Sequence, residues 1–267
     1  MTARIATLAA LAAIAAPSVS RADDLRNFCA DRPGLGTPAC TVDQGHVMAE
    51  VGLGDWTYDN TDGLRSDSVS TGQVLLRAGI TPRLEAQFGW DGYTHLRQGD
   101  ATGTVDTVHG AGDALIGFKW SLRHPDGSGT SLAALPYATL PIGKTGIGAG
   151  DWSAGVIVPM SFALTSNLGL ALSPQVAASV NGSGHGRHLQ FGGVAGLSAQ
   201  LSKRLSGAAE LAWQRDDDPD GTTEGTRAGL SLAYAATSKL QLDGGVNLRL
   251  GGTAPDRELY FGVSRRF

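Results

Sequence analysis

Few residues in this chain are placed to do chemistry. Gly143-Lys144-Thr145 ends like a phosphate-binding loop, but Ala138 stands where the first glycine of that loop is required. Gly146-Ile147-Gly148-Ala149-Gly150-Asp151 carries aspartate at the third dinucleotide glycine. No G-x-S-x-G elbow and no H-E-x-x-H helix occurs. Asp216-Asp217-Asp218-Pro219-Asp220-Gly221 opens like a calcium loop, with acids at positions 1, 3 and 5 and glycine at 6. Its twelfth position is Arg227, where a bidentate acid is needed. It reads as a solvated acidic loop, 216–224, or as a weak divalent-cation site. His185 and His188 in a glycine-rich stretch could hold a metal, but solvent-facing histidines are much commoner. No catalytic residue, metal site or cofactor is expected.

What remains is a set of polar residues at alternating positions. In Arg83 to Asp91, Leu84, Ala86, Phe88 and Trp90 share one face, and Arg83, Glu85, Gln87, Gly89 and Asp91 share the other. A strand alternates faces with period two. The second face would bury unpaired charge in a soluble core. It can line a wet lumen while the first meets lipid. The same alternation gives lumen-lining candidates Arg77, Arg83, Glu85, Gln87, Asp113, Lys119, Glu210, Arg227, Asp243, Asn247 and Arg249, with Glu50, Gln73, Gln175, Gln190, Gln200, Gln214 and Gln241 in the wider set. Opposite charges there either pair across the wall and hold it shut or line a permeation path.

These positions require many strands. Period-two runs place twelve, near 45–57, 68–80, 83–94, 111–122, 130–140, 152–164, 168–181, 188–201, 205–215, 225–236, 240–250 and 257–267. Tight turns such as Thr81-Pro82 and Ser202-Lys203-Arg204 alternate with longer polar connections at 58–67, 95–110, 141–151, 182–187, 216–224 and 251–256. Short periplasmic turns against longer outer loops are the habit of outer-membrane barrels. Trp56, Trp90, Trp120, Trp152 and Trp213 all fall near strand ends, where interfacial girdles sit. The predicted fold is therefore all-β, an antiparallel transmembrane β-barrel of about 12 strands. A soluble sandwich or jelly roll is the competing fold, and it would need fewer charges on inward faces.

Composition agrees. Charged residues are 17% of 267 and glycines number 38. Beyond residue 22 no apolar run approaches the ~20 residues of a membrane helix. Arg4, the apolar stretch Ile5 to Ala16, and Ser20-Arg21-Ala22 read as a secretory signal, 1–22, cut after Ala22. Removing Arg4 and Arg21 from the 21 basic residues leaves 19 against 25 acids, a net charge of −6. That excludes a nucleic-acid partner, which needs clustered Lys and Arg. Cys29 and Cys40, the only cysteines, are expected to form a disulfide, as an exported protein allows. They bracket a turn-rich segment, 23–44, that could plug the barrel of 45–267. Twelve strands fall between the filled eight-stranded and the open sixteen-stranded barrels. The chain ends on Phe267 after an alternating strand, which resembles the signal read by the outer-membrane assembly machinery.

Ala78-Gly79-Ile80-Thr81-Pro82-Arg83-Leu84-Glu85, Gly110-Ala111-Gly112-Asp113 and Leu140-Pro141-Ile142-Gly143 carry a family resemblance over about residues 44–267. They resemble the turn and strand signatures of the bacterial "transporter" family of the putative MetA-pathway of phenol degradation. That family has Pro-Thr-Gly more commonly where this chain has Pro141-Ile142-Gly143. The resemblance implies an outer-membrane barrel for passive uptake of small solutes, hydrophobic or aromatic ones among them, and names no catalytic residue. The expected partners are the lipid bilayer and lipopolysaccharide, the assembly machinery and the solutes. The alternatives are an outer-membrane lipid-modifying enzyme, with His95 and His109 near the outer rim, and a structural or adhesion barrel.

Overall fold

The computed structural model describes residues 25–61 and 63–267. The expected signal segment and its cut after Ala22 lie outside the described residues. Sixteen strand segments follow one another: β1 (Val47–Thr61), β2 (Leu64–Thr71), β3 (Gln73–Gly79), β4 (Leu84–Trp90), β5 (Tyr93–Gly99), β6 (Val105–Ala111), β7 (Ala114–Arg123), β8 (Thr130–Leu140), β9 (Ser153–Ile157), β10 (Met160–Ala163), β11 (Leu168–Val180), β12 (Arg187–Gln200), β13 (Leu205–Asp218), β14 (Gly221–Thr237), β15 (Leu240–Gly252) and β16 (Arg257–Arg266).

Four staves of the wall are interrupted strands. β1 pairs with β3 along its first half and with β2 along its second, so β2 and β3 form one stave. β4 with β5, β6 with β7, and β9 with β10 do the same. Sixteen segments thus make twelve staves, each antiparallel to the next, and β16 closes the ring on β1 from Met48↔Arg266 to Tyr58↔Arg257. Closure removes the unpaired edges that lipid cannot solvate.

The wall is inside-out relative to a water-soluble protein. On β7, Phe118 and Trp120 are 54% and 59% exposed, whereas Lys119 between them is fully buried. The outward apolar side chains need lipid, and the inward polar ones need each other.

Three of the four interruptions share a cause. Gly72, Gly92 and Gly112 fall at neighbouring breaks in three successive staves, and Gly112 N donates to the carbonyls of Asp91 (2.8 Å) and Gly92 (3.2 Å). A Cβ on Gly92 would run into the carbonyl oxygens of Thr71 and Gly72, so glycine lets these backbones close up. Gly92→Ala is expected to destabilise the barrel by about 1–3 kcal/mol, read as a lower temperature for loss of the folded band on a heat-modifiability gel. The fourth interruption, between β9 and β10, holds Pro159, which has no N–H for the ladder.

Three expectations need correction. The connections read as 58–67, 95–110 and 216–224 are mostly strand: β1 continues to Thr61, β5 and β6 pair from Tyr93↔Ala111 to Gly99↔Val105, and Asp216 to Asp218 belong to β13. These stretches are polar because they rise above the apolar band, and their backbone still pairs. Arg83 is not lumen-lining. It sits exposed in the tight turn before β4, where its carbonyl accepts from Ser121 N at 2.8 Å. Gln200 likewise is exposed and donates to the carbonyls of Ser202 and Leu205 in the adjacent turn.

Candidate functional site

The site is the lumen and the segment that crosses it. β3, β4 and β7 bring Arg77, Glu85 and Lys119 to the inward face because each stands at an inward position of its strand. Arg77 is fully buried. Its fork donates to both oxygens of Glu85, at 2.8 Å from Nε and 3.0 Å from Nη2. Its Nη1 donates to Glu50 at 3.2 Å and to the Cys29 carbonyl at 2.6 Å, and Nη2 reaches the Cys40 carbonyl at 3.3 Å. Lys119 Nζ lies 3.1 Å from Asp31 and 3.7 Å from Glu85. Gln87 donates to Glu85 at 2.6 Å.

Those contacts tie residues 25–44 to one wall, and others tie them to the opposite wall. A disulfide joins Cys29 and Cys40. Val42 N donates to Glu85 on the third stave at 2.8 Å. Leu35 N and Gly36 N donate to Glu210 on the ninth, at 2.8 and 3.1 Å. In a ring of twelve, the third and ninth staves face each other, so the segment spans the lumen. Ser173 exchanges hydrogen bonds with the Thr37 backbone at 2.9 and 3.2 Å. Arg32 pairs with Asp243 at 3.0 Å, and Arg266 joins the segment at Asp43 (3.2 Å) and at the Arg26 carbonyl (2.8 Å). The backbone N–H groups of a turn-rich segment have no ladder partners, and wall carboxylates supply them.

Beyond the segment's tip the lumen holds water-sized space. A cavity of about 350 Å³ lies against Leu35, Gln175, Gln214 and Arg227, and another of about 270 Å³ against Glu50, Gln73, Leu75 and Leu115. Arg227 approaches Glu258 at 3.4 Å, and Asn247 donates to the same carboxylate at 2.9 Å. Arg249 binds Asp59 at 3.1 Å and also Asp256. Asp113 is half-buried and accepts from Gly143 N (2.8 Å) and Ala149 N (2.7 Å), which fastens the 141–152 connection to the wall. In that connection Asp151 accepts from Trp152 N at 2.8 Å and pairs with Arg187 at 2.8 Å, and both hold its carboxyl below the usual carboxylate range. The Arg187 guanidinium stacks 3.6 Å over the Trp152 ring.

The acidic stretch forms no calcium loop. Asp216 and Asp218 lie on β13 and flank the imidazole of His188, with Asp218 3.2 Å from Nδ1 and Asp216 beside Nε2. His188, Asp216 and Asp218 are the group of potential metal-ligating side chains found among the described residues. His185 is exposed and apart from them. Phe267 is exposed, and its N–H donates to the Val47 carbonyl at 2.8 Å. Asp31, Arg32, Ser173 and Arg266 were not singled out from sequence. Arg266 is the one a stricter reading of β16 could have found, because it alternates with Ser264 on the inward face.

Comparison with known proteins follows the fold. No curated protein matches the chain. An outer membrane channel from Pseudomonas putida F1 is 17% identical, with a TM-score of 0.69 over 88% of this chain and 99% of that one. The β domain of the Bordetella autotransporter BrkA is 13% identical, with a TM-score of 0.55 over 84% and 100%. The NanC porin is 10% identical, with a TM-score of 0.51 over 82% and 98%. At such identities these likenesses establish a twelve-stave barrel of the outer-membrane type and nothing finer. The family described as "Putative MetA-pathway of phenol degradation" matches residues 30–267, which takes in the described segment's core, the ring and its closing strand, and the chain belongs to that family.

Proposed function

We propose that this protein resides in the bacterial outer membrane as a passive channel for small compounds, hydrophobic or aromatic ones among them, and that residues 25–44 narrow its lumen from the periplasmic end. The observation that carries the reading is the segment spanning the lumen between Glu85 and Glu210, with cavities left beside it. A lumen that size admits small solutes in single file. The family description supports an aromatic cargo. The tight turns lie at the same end as both chain termini, and this supports a periplasmic position for that end, since short turns face the periplasm in outer-membrane barrels.

The lipid-modifying alternative needs a nucleophile beside a histidine on the lipid-facing rim. His95 and His109 stack with ring centres 6.3 Å apart, and the cross-strand neighbours of His95 are Val69 and His109, neither of them a nucleophile. Proteoliposomes test the proposal. Monoaromatic solutes are expected to enter faster than sugars of equal size, and vesicles that stay tight to every small solute would overturn it. A lipid-hydrolysis assay on the same sample separates the enzyme from the channel.

A further inference from the structure

The outward wall carries a basic row where an apolar or neutral one would serve lipid better. The strand register sets Arg257, Tyr58, Asp67 and Arg97 side by side across β16, β1, β2 and β5. Arg65 stands one outward position further toward the tip of the same hairpin. Two residues nearer the bilayer, the row is Leu259, Trp56, Val69, His95 and His109. An aromatic and apolar row marks the membrane interface, and two residues of strand rise about 6–7 Å. The arginines therefore stand at headgroup height on the rim opposite the tight turns.

They are held ready rather than neutralised. Asp67 is the acid in that row, and it pairs with Arg65 at 3.2 Å and accepts from Trp56 Nε1 at 2.8 Å, while no ion pair to Arg97 or Arg257 is found among the described residues. Arg257 stacks 4.6 Å from the Tyr58 ring centre and 5.4 Å from that of Trp56, and Arg65 stacks 5.2 Å from Tyr58. Stacking fixes the guanidinium planes of Arg257 and Arg65, and a guanidinium held by its face can still present its N–H edge to phosphate with two parallel hydrogen bonds. The Arg65 side chain is 58% exposed, and Arg97 and Arg257 are exposed.

We infer that Arg65, Arg97 and Arg257 form a binding site on the outer wall for the phosphate groups of the outer-leaflet glycolipid, lipopolysaccharide. Charge complementarity identifies the ligand: the only dense anion available to an outward side chain at that height is a lipid phosphate. The inference rests on the outer-membrane reading above, and not on the channel reading, since these side chains face away from the lumen.

Native mass spectrometry of the full chain in detergent with added lipid A tests it. Each charge at an anionic lipid surface is worth about fivefold in affinity, so the triple variant Arg65→Gln, Arg97→Gln, Arg257→Gln is expected to retain lipid A about 100-fold less than the parent. Dephosphorylated lipid A is expected to match that loss on the parent. Lys203→Gln with Arg204→Gln, exposed in the turn at the opposite end, is expected to change nothing. Heat-modifiability confirms that each variant is folded. Undiminished retention by the triple variant, equal retention of the dephosphorylated lipid, or an equal loss in the Lys203/Arg204 control would overturn the inference. Solute entry into proteoliposomes, measured separately, reports on the channel reading alone.

Discussion

Arg77→Met is expected to cost the barrel about 3–5 kcal/mol, the range for removing one partner of a buried ion pair. Among the described residues Arg77 is the only guanidinium reaching Glu50 and Glu85 together, and all three side chains are fully buried. Without it, Glu50 and Glu85 face each other across a space filled by an apolar chain. Lys119 still approaches Glu85, but at 3.7 Å and with its nearer contact to Asp31. The Cys29 and Cys40 carbonyls lose their shared donor as well. The measurement is the urea midpoint of refolded protein in detergent, followed by the shift between folded and unfolded bands. Arg77→Lys should recover part of the loss, because it restores charge without the fork that grips both Glu85 oxygens. A methionine variant as stable as the parent would mean that the cluster is dispensable.

Deleting residues 25–43 is expected to raise single-channel conductance roughly tenfold, since a barrel of this strand number is wide enough to conduct only when its interior is not filled. The segment's removal frees Glu50, Glu85, Glu210 and Asp243 from their contacts with it and admits water between opposite staves. Planar-bilayer recording gives the number. Glu210→Ala offers a gentler test, because it removes the acceptor for Leu35 N and Gly36 N while leaving the Cys29–Cys40 base in place. It is expected to give flickering openings of intermediate size. A deletion variant that folds and conducts no better than the parent would show that the segment does not set the flow.

Much of the fold was legible because lipid imposes a simple rule on sequence. Strand β4 shows it: Leu84, Ala86, Phe88 and Trp90 had to face out once Glu85 and Gln87 were to face in. The staves were countable from such runs and from tight turns like Thr165-Ser166-Asn167. Two things were harder to read. Above the apolar band both faces meet water, so alternation weakens, and β5 and β6 looked like loop although their backbones pair. Inward parity alone also cannot say where a strand begins, which is why Arg83 fell in a turn. The lumen candidates Glu85, Lys119, Glu210 and Asp243 were legible as inward residues. Their partners were not, since Leu35 and Glu210 meet across 175 positions of sequence and backbone N–H groups leave no mark in it.

The seam between β1 and β16 bears on the order of events during assembly. Arg266, the last residue of β16, holds Asp43 of the crossing segment, 223 residues earlier. Phe267 closes on Val47 beside it. Contacts between such distant positions form late, because the entropy of joining them is paid before they contribute. Sealing of the ring and docking of the crossing segment's base thus belong to one final step. A nascent barrel still waiting for its last strand is unsealed and lacks one anchor of the crossing segment, whose other holds, Glu85 and Glu210, stand on earlier staves.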